Sequence, residues 1–211
     1  MEPIINSQLH DRRTDRAVQN DRRADGAQKG KYFRFFRRYS SFYVRKGQDL
    51  LLQAILLLPE EIRKKAVFYF VGQDSSVMAQ QIKHKIQTIP EVIITGTVNR
   101  RQIDEILNKA DVLVCPSRQD PMPTVAAEAM MNSVPCLISD ATGTAAYLTD
   151  GKNGMVFRSE DIKGLSHQLE MCIRQPERLG EMGKKARNVY EKIFSMRVFE
   201  EALIGTVNDL L

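Results

Sequence analysis

The sequence predicts a doubly wound α/β fold: a parallel sheet covered by helices on both faces, with extra helices at the carboxyl end. Three observations carry this. Short, nearly continuous apolar runs such as AVFYFV (Ala66 to Val71), VIIT (Val92 to Thr95) and DVLVC (Asp111 to Cys115) read as strands buried on both faces. Stretches of helical period stand between them. The alternation runs through most of the 211 residues, room for one ordinary domain and a tail.

Taken in order, Met1 to Lys29 is charged and nearly repeats itself in DRRTDRAVQNDRRADG. It offers little to bury against the entropy of ordering, so residues 1–30 are expected to form a disordered tail and residues 31–211 the domain. Lys31 to Gly47, KYFRFFRRYSSFYVRKG, mixes basic and aromatic residues. Such a segment suits a single-stranded or membrane surface, or else a first strand with a basic mouth, which fits the α/β pattern that follows. Asp49 to Leu58 has a broad apolar helical face, closed by Pro59 and EEIRKK. After the AVFYFV strand, Val77 to Gln87 is a polar helix. Asn99 to Ala110 follows VIIT as a helix with Ile103, Ile106 and Leu107 inward. Beyond DVLVC come a helix over Pro123 to Met131, a strand over Val134 to Ile138 interrupted by Pro135, and a short strand over Met155 to Phe157. Helices over Asp161 to Arg174, Pro176 to Lys192 and Met196 to Leu211 complete the chain.

The bulk properties narrow the class. The net charge of +5 suits a phosphate-bearing ligand, nucleic acid or an acidic membrane without choosing among them. Cys115, Cys136 and Cys172 have neither metal-ligand nor redox spacing, and each lies in an apolar run as a small buried hydrophobe would. No apolar stretch approaches the ~18 residues of a membrane span, and MEPIINSQLH lacks the form of a signal peptide. A cytoplasmic location is expected.

In doubly wound sheets ligands bind beyond the carboxyl ends of the strands. The loop after DVLVC reads PSRQDPMPTVAAEAMM. Pro123 suits the first turn of a helix, where its missing N–H costs nothing. The amides of Thr124, Val125 and Ala126 would then be free to bind phosphate. Glu128 lies little more than one turn inside, where a buried carboxylate needs partners such as two ribose hydroxyls. Acidic residues near helix starts also occur simply because they suit the dipole, and Glu128 taken alone fits that role too. Its company favours a site: Asp120 eight positions earlier, the proline-framed start, and the loop SDATGTAAY, in which Gly143 permits close approach.

The stretch from Asp111 to Phe157 resembles the C-terminal domain of the group 1 (family 4) glycosyltransferases, enzymes of GT-B architecture. The resemblance rests on Pro116-Ser117, Asp120, Glu128-Ala129-Met130, Ser139, Thr142-Gly143 and Asn153-Gly154. It extends through RKGQDLLLQAI, FVG and ITGTV upstream and FSMRVFEEAL downstream, from about Arg45 to Leu211. It implies a single Rossmann-like half of a GT-B enzyme that binds a nucleoside-diphosphate sugar for retaining hexosyl or deoxyhexosyl transfer in polysaccharide or glycoconjugate synthesis. By the same resemblance Glu128 contacts the ribose. Asp120, where the family more often has Glu, lies nearer the sugar. Lys46, in the Lys46-Gly47 pair, binds the diphosphate and stabilises the leaving group, and Gly96-Thr97-Val98 lines the base. Arg45, Arg38 and Arg37 are the candidates for the arginine that accompanies the lysine, with Arg45 the one placed in the site. No metal is implied.

The implied partners are the nucleotide-sugar donor, a glycan or lipid-linked acceptor, and a separate protein supplying the N-terminal acceptor domain, which is missing from these residues. Peripheral membrane contact through the basic aromatic segment is a further expectation; nucleic acid is not expected. A truncated or rearranged gene would account for the missing half and for an unrelated segment before Arg45. The alternative reading is a non-catalytic or partner-dependent subunit whose basic aromatic segment binds acidic surfaces.

Overall fold

The computed structural model describes residues 33–41, 44–73 and 75–209. The expected tail over residues 1–30 lies outside them. The described chain begins with strand β1 (Phe33–Ser41), a single 3₁₀ turn (Val44–Lys46), helix α1 (Gln48–Leu57) and short helix α2 (Glu60–Arg63). Strand β2 (Ala66–Gln73), helix α3 (Val77–Lys85), strand β3 (Val92–Gly96), helix α4 (Arg100–Lys109) and strand β4 (Val112–Cys115) follow. Then come helix α5 (Thr124–Met131), strand β5 (Cys136–Ser139), a 3₁₀ turn (Gly143–Tyr147) and strand β6 (Met155–Phe157). Helices α6 (Ile162–Arg174) and α7 (Glu177–Val189), a π-helical turn (Tyr190–Phe194) and helix α8 (Met196–Asp209) end the described chain.

The six strands form one sheet in the order β3-β2-β1-β4-β5-β6, and every pairing is parallel. The fold is the doubly wound, Rossmann-like sheet expected from the sequence. Within the basic aromatic segment, Phe33–Ser41 forms β1, paired with β2 on one side and β4 on the other. The first-strand reading of that segment therefore holds, and its backbone lies in the interior of the sheet.

Alternation along the strands sorts side chains between two apolar layers. Phe68 and Phe70 of β2, Val112 and Val114 of β4 and Leu137 of β5 face α1, α2, α3 and α6. Val71, Leu113, Cys115, Cys136 and Ile138 face α4 and α5. Helix α7 reaches both layers, giving Leu179 and Met182 to the first and Ala186 to the second. The three cysteines are buried and unbridged, as their apolar contexts suggested. Burial pushes the Cys172 thiol up to about 12 and the Cys136 thiol higher still.

Local chemistry sets the boundaries. Helix α4 starts with a capping box: the Asn99 side chain accepts from the Gln102 amide at 2.9 Å, and Gln102 accepts from the Asn99 amide at 2.8 Å. Asp161 caps α6 by accepting from the Gly164 amide at 2.8 Å. Two expectations are corrected. The strand expected from Val134 starts at Cys136, because Pro135 has no N–H for the ladder and gives only its carbonyl, to the Leu113 amide at 3.0 Å. Pro123 is the N-cap of α5, not its first helical residue, with ψ at 108°. Among the described residues, no helix is long and apolar enough to cross a membrane.

Candidate functional site

The strand order creates one switch point. Neighbours β1 and β4 are followed by α1 and α5, which pack on opposite faces of the sheet. The chain thus leaves the two strand ends in opposite directions and opens a crevice between them, the place where such sheets bind ligands. Two of the predicted residues meet there. Lys46, in the turn after β1, donates from Nζ to Oδ2 of Asp120, in the loop after β4, at 2.7 Å. The pair is largely buried, with 22% of the lysine side chain and 9% of the aspartate exposed.

Three loops are pressed together to hold it. A Cβ on Gly47 would stand 1.8 Å from the carbonyl oxygen of Pro116, and one on Gly143 would stand 1.8 Å from that of Pro121. Glycine is therefore required wherever the loop after β4 is crossed by its neighbours. Asp120 is held by its backbone on both sides: its amide donates to the Ala141 carbonyl at 3.3 Å and its carbonyl accepts from the Gly143 amide at 3.0 Å. The buried Ser139 hydroxyl donates to the Ser117 carbonyl, and Thr142 Oγ1 donates to the Ser139 carbonyl at 2.9 Å. These contacts give Ser117, Ser139, Thr142 and Gly143 a shared task, fixing the height of Asp120 in the crevice.

Glu128 lies in the second turn of α5, and Oε1 accepts from Nη1 of Arg100 at 2.6 Å. Arg100 opens α4, just past the Gly96-Thr97-Val98 loop, so it links the helix bearing Glu128 to that loop. Sequence reasoning missed Arg100. A signal was present: Arg100 and Arg101 stand in the first turn of a helix with no acidic residue there, a position the helix dipole disfavours for cations. Pro123 and Val125 are buried, while Thr124, Thr97 and Arg45 are exposed. Arg45 takes part through its backbone, whose carbonyl accepts from the Arg118 amide at 2.8 Å. The amides of Thr124 and Val125 fall in the first turn of α5, where no intrahelical acceptor exists. The expectation of a third free amide is corrected: Ala126 donates to the Pro123 carbonyl three residues back at 2.9 Å, a bond of the 3₁₀ type that tightens the first turn of the helix.

Arg118 forms the densest polar contact of the region. Its Nη1 and Nη2 donate to the two carboxylate oxygens of Asp49 at 2.9 and 2.8 Å. Nη1 also donates to the Val44 carbonyl at 2.6 Å, and Nε to Glu160 Oε1 at 2.7 Å. Burial alone would raise the Asp49 carboxyl; the Arg118 hydrogen bonds and charge outweigh it and hold the group below its ordinary value. The Asp49 hydrogen bonds shift Arg118 upward, against desolvation. A cavity of about 390 Å³ beneath α4, lined by Tyr69, Thr95, Val98 and Ile106, lies apart from this cluster: Lys46, Asp120 and Glu128 do not line it.

The chain matches the family described as "Glycosyl transferases group 1" over residues 19–189. The lipopolysaccharide glucosyltransferase WaaG of Escherichia coli is 29% identical over 116 residues, covering 55% of this chain and 30% of WaaG. The D-inositol 3-phosphate glycosyltransferase of Xylanimonas cellulosilytica is 29% identical over 143 residues, covering 67% of this chain and 34% of that protein. The crystal structure of Anabaena HepE with UDP and glucose superposes with a TM-score of 0.73 at 18% identity, over 85% of this chain and 49% of that one. The chain thus spans about a third of the length of these two relatives and about half of the structural neighbour.

Proposed function

The chain belongs to the group 1 glycosyltransferases, and from that premise we propose that its switch-point crevice binds a nucleoside-diphosphate sugar and presents it for retaining glycosyl transfer in polysaccharide or other glycoconjugate synthesis. The observation that carries this reading is the 2.7 Å contact between Lys46 Nζ and Asp120 Oδ2 at the carboxyl ends of β1 and β4. It joins a cation suited to a diphosphate with an anion suited to sugar hydroxyls. HepE, which shares the fold, is described in complex with UDP and glucose, and the same class of donor is proposed here.

Each residue then has a physical task. The Lys46 ammonium balances the negative charge that grows on the departing nucleoside diphosphate, in a crevice where water screens it poorly. The first-turn amides at Thr124 and Val125 add fixed dipoles to the same end. Asp120 holds the ammonium in place before the donor arrives and accepts from the sugar once it is there. Glu128 exchanges its Arg100 contact, or shares it, for the two ribose hydroxyls. Gly96-Thr97 borders the base. In this proposal no metal is needed, since lysine and amides neutralise the phosphates. The acceptor-side groups belong to the further length that the relatives possess, so transfer itself is proposed to need that partner half.

Calorimetric titration with uridine, guanosine, adenosine and cytidine diphosphates, with and without chelator, tests the donor site. One of them is expected to bind in the presence of chelator. Lys46→Ala and Glu128→Ala are each expected to weaken that binding about tenfold or more while leaving the circular dichroism spectrum unchanged. Binding that survives both substitutions, or no binding by the unaltered chain, sinks the reading. Rapid sugar transfer by the purified chain with no added protein would overturn the need for a partner half.

A further inference from the structure

We propose that Arg118 is a positioning residue for donor binding: it sets the place of Lys46 by clamping the turn that carries it. The inference rests on the donor-site reading above. Arg118 stands two residues before Asp120, and the turn it grips, Val44–Lys46, ends in Lys46. Both members of the Lys46–Asp120 pair therefore hang from segments that Arg118 joins.

The clamp has four points. The Arg118 amide donates to the Arg45 carbonyl, and Nη1 to the Val44 carbonyl, so the two residues before Lys46 are both fixed by their backbone. The bidentate pair with Asp49 fixes the first turn of α1, on the other side of Lys46 and Gly47. Nε is taken by Glu160, which sits at a φ of 65°, a left-handed conformation disfavoured for a residue with a Cβ. A backbone held there against its preference marks a fixed point and not a loop in search of a partner. Four of the five guanidinium N–H donors go to protein acceptors, so Arg118 acts on the ligand through Lys46 and not by touching phosphate. Only a planar fork serves carboxylate, carbonyl and a second carboxylate at once; an ammonium is a point donor.

A purely structural role would lower stability without choosing among ligands. A positioning role weakens the diphosphate contact alone, and only while Lys46 is there to be misplaced. The test uses the full chain and whichever of uridine, guanosine, adenosine and cytidine diphosphate binds best, with the matching nucleoside as a phosphate-free control. Arg118→Ala is expected to weaken the diphosphate about tenfold and leave the nucleoside unchanged. Arg118→Lys, which keeps charge and bulk and guards against failure of the alanine variant to fold, is expected to recover only part of that loss. In a Lys46→Ala background Arg118→Ala is expected to cost less than about twofold, the mark of two groups acting as one. Wild-type-like binding by Arg118→Ala, equal loss of nucleoside and diphosphate, full recovery by Arg118→Lys, or simple additivity with Lys46→Ala each overturns the inference and leaves the donor site standing. An unaltered chain that takes none of the four diphosphates overturns the donor site and this inference with it.

Discussion

Gly47 adopts a φ of 71°, and a Cβ there would stand 1.8 Å from the Pro116 carbonyl oxygen. Gly151 adopts the same φ of 71° but has nothing within 4 Å of the corresponding position. The two glycines separate the cost of conformation from the cost of crowding. Gly151→Ala places an ordinary residue in the left-handed region and is expected to destabilise by about 1 kcal/mol. Gly47→Ala meets the same conformational penalty and must also push the Pro116 loop away, so a loss of about 3 kcal/mol or more is expected. Urea unfolding of the two variants measures the difference directly. Equal losses would mean that the loops move apart freely, and the crevice would then be far softer than its close contacts suggest. The same contrast explains what was readable at this scale. Lys46-Gly47 was legible as a local motif. Its contact with Asp120, 74 residues away, depends on β1 lying beside β4, which no spacing in the sequence encodes. Arg118 was passed over because a charged loop residue looks the same whether it faces solvent or locks two segments together, and Arg100 because its partner Glu128 lies 28 residues away on another helix.

At the scale of elements, strands were the most legible because burial on both faces leaves runs such as AVFYFV and DVLVC with few competing readings. Pieces of one or two turns were missed. Helix α2 reads as a charged linker, since Ile62 is its one buried residue. The 3₁₀ turn at Gly143–Tyr147 and the π-helical turn at Tyr190–Phe194 arise from tertiary contacts, among them the edge-on pair of Tyr147 and Phe194 with ring centroids 5.1 Å apart. Helix α8 was legible by its period yet behaves unlike the other long helices. Met196, Phe199, Leu203 and Val207 recur at spacings of three and four, and all are exposed, Phe199 by 61%. No residue of α8 is buried. An element that buries nothing contributes little to folding, whatever its helical propensity. Removal of residues 196–211 is therefore expected to change the unfolding free energy by less than about 1 kcal/mol. It is also expected to reduce concentration-dependent self-association, because the apolar stripe goes with it. Denaturant titration and light scattering read the two effects, and a loss above about 2 kcal/mol would show that α8 supports the domain.

For the whole molecule the question is whether two apolar layers make one folding unit or two. Strand β4 contributes Val112 and Val114 to one layer and Leu113 and Cys115 to the other, and β5 divides Leu137 from Cys136 and Ile138 in the same way. Neither layer can lose its packing while the sheet stays intact, because the same four-residue strands serve both. Helix α7 ties the layers a second time. Cooperative unfolding follows. Ile55 in α1 and Ile138 in β5 lie in different layers and are both fully buried, so each Ile→Val change is expected to cost about 1 kcal/mol by removing one buried methyl group. The double variant is expected to lose the sum to within ~0.5 kcal/mol, since the two side chains belong to separate clusters. All three variants should keep the denaturant slope and move only the midpoint, with far-ultraviolet circular dichroism and tyrosine fluorescence giving the same transition. Transitions that separate between the two signals, or a slope that falls in one single variant and not the other, would show that one layer melts first. The crevice that both layers hold in place would then be lost before the sheet is, and donor binding would fail at a lower denaturant concentration than secondary structure does.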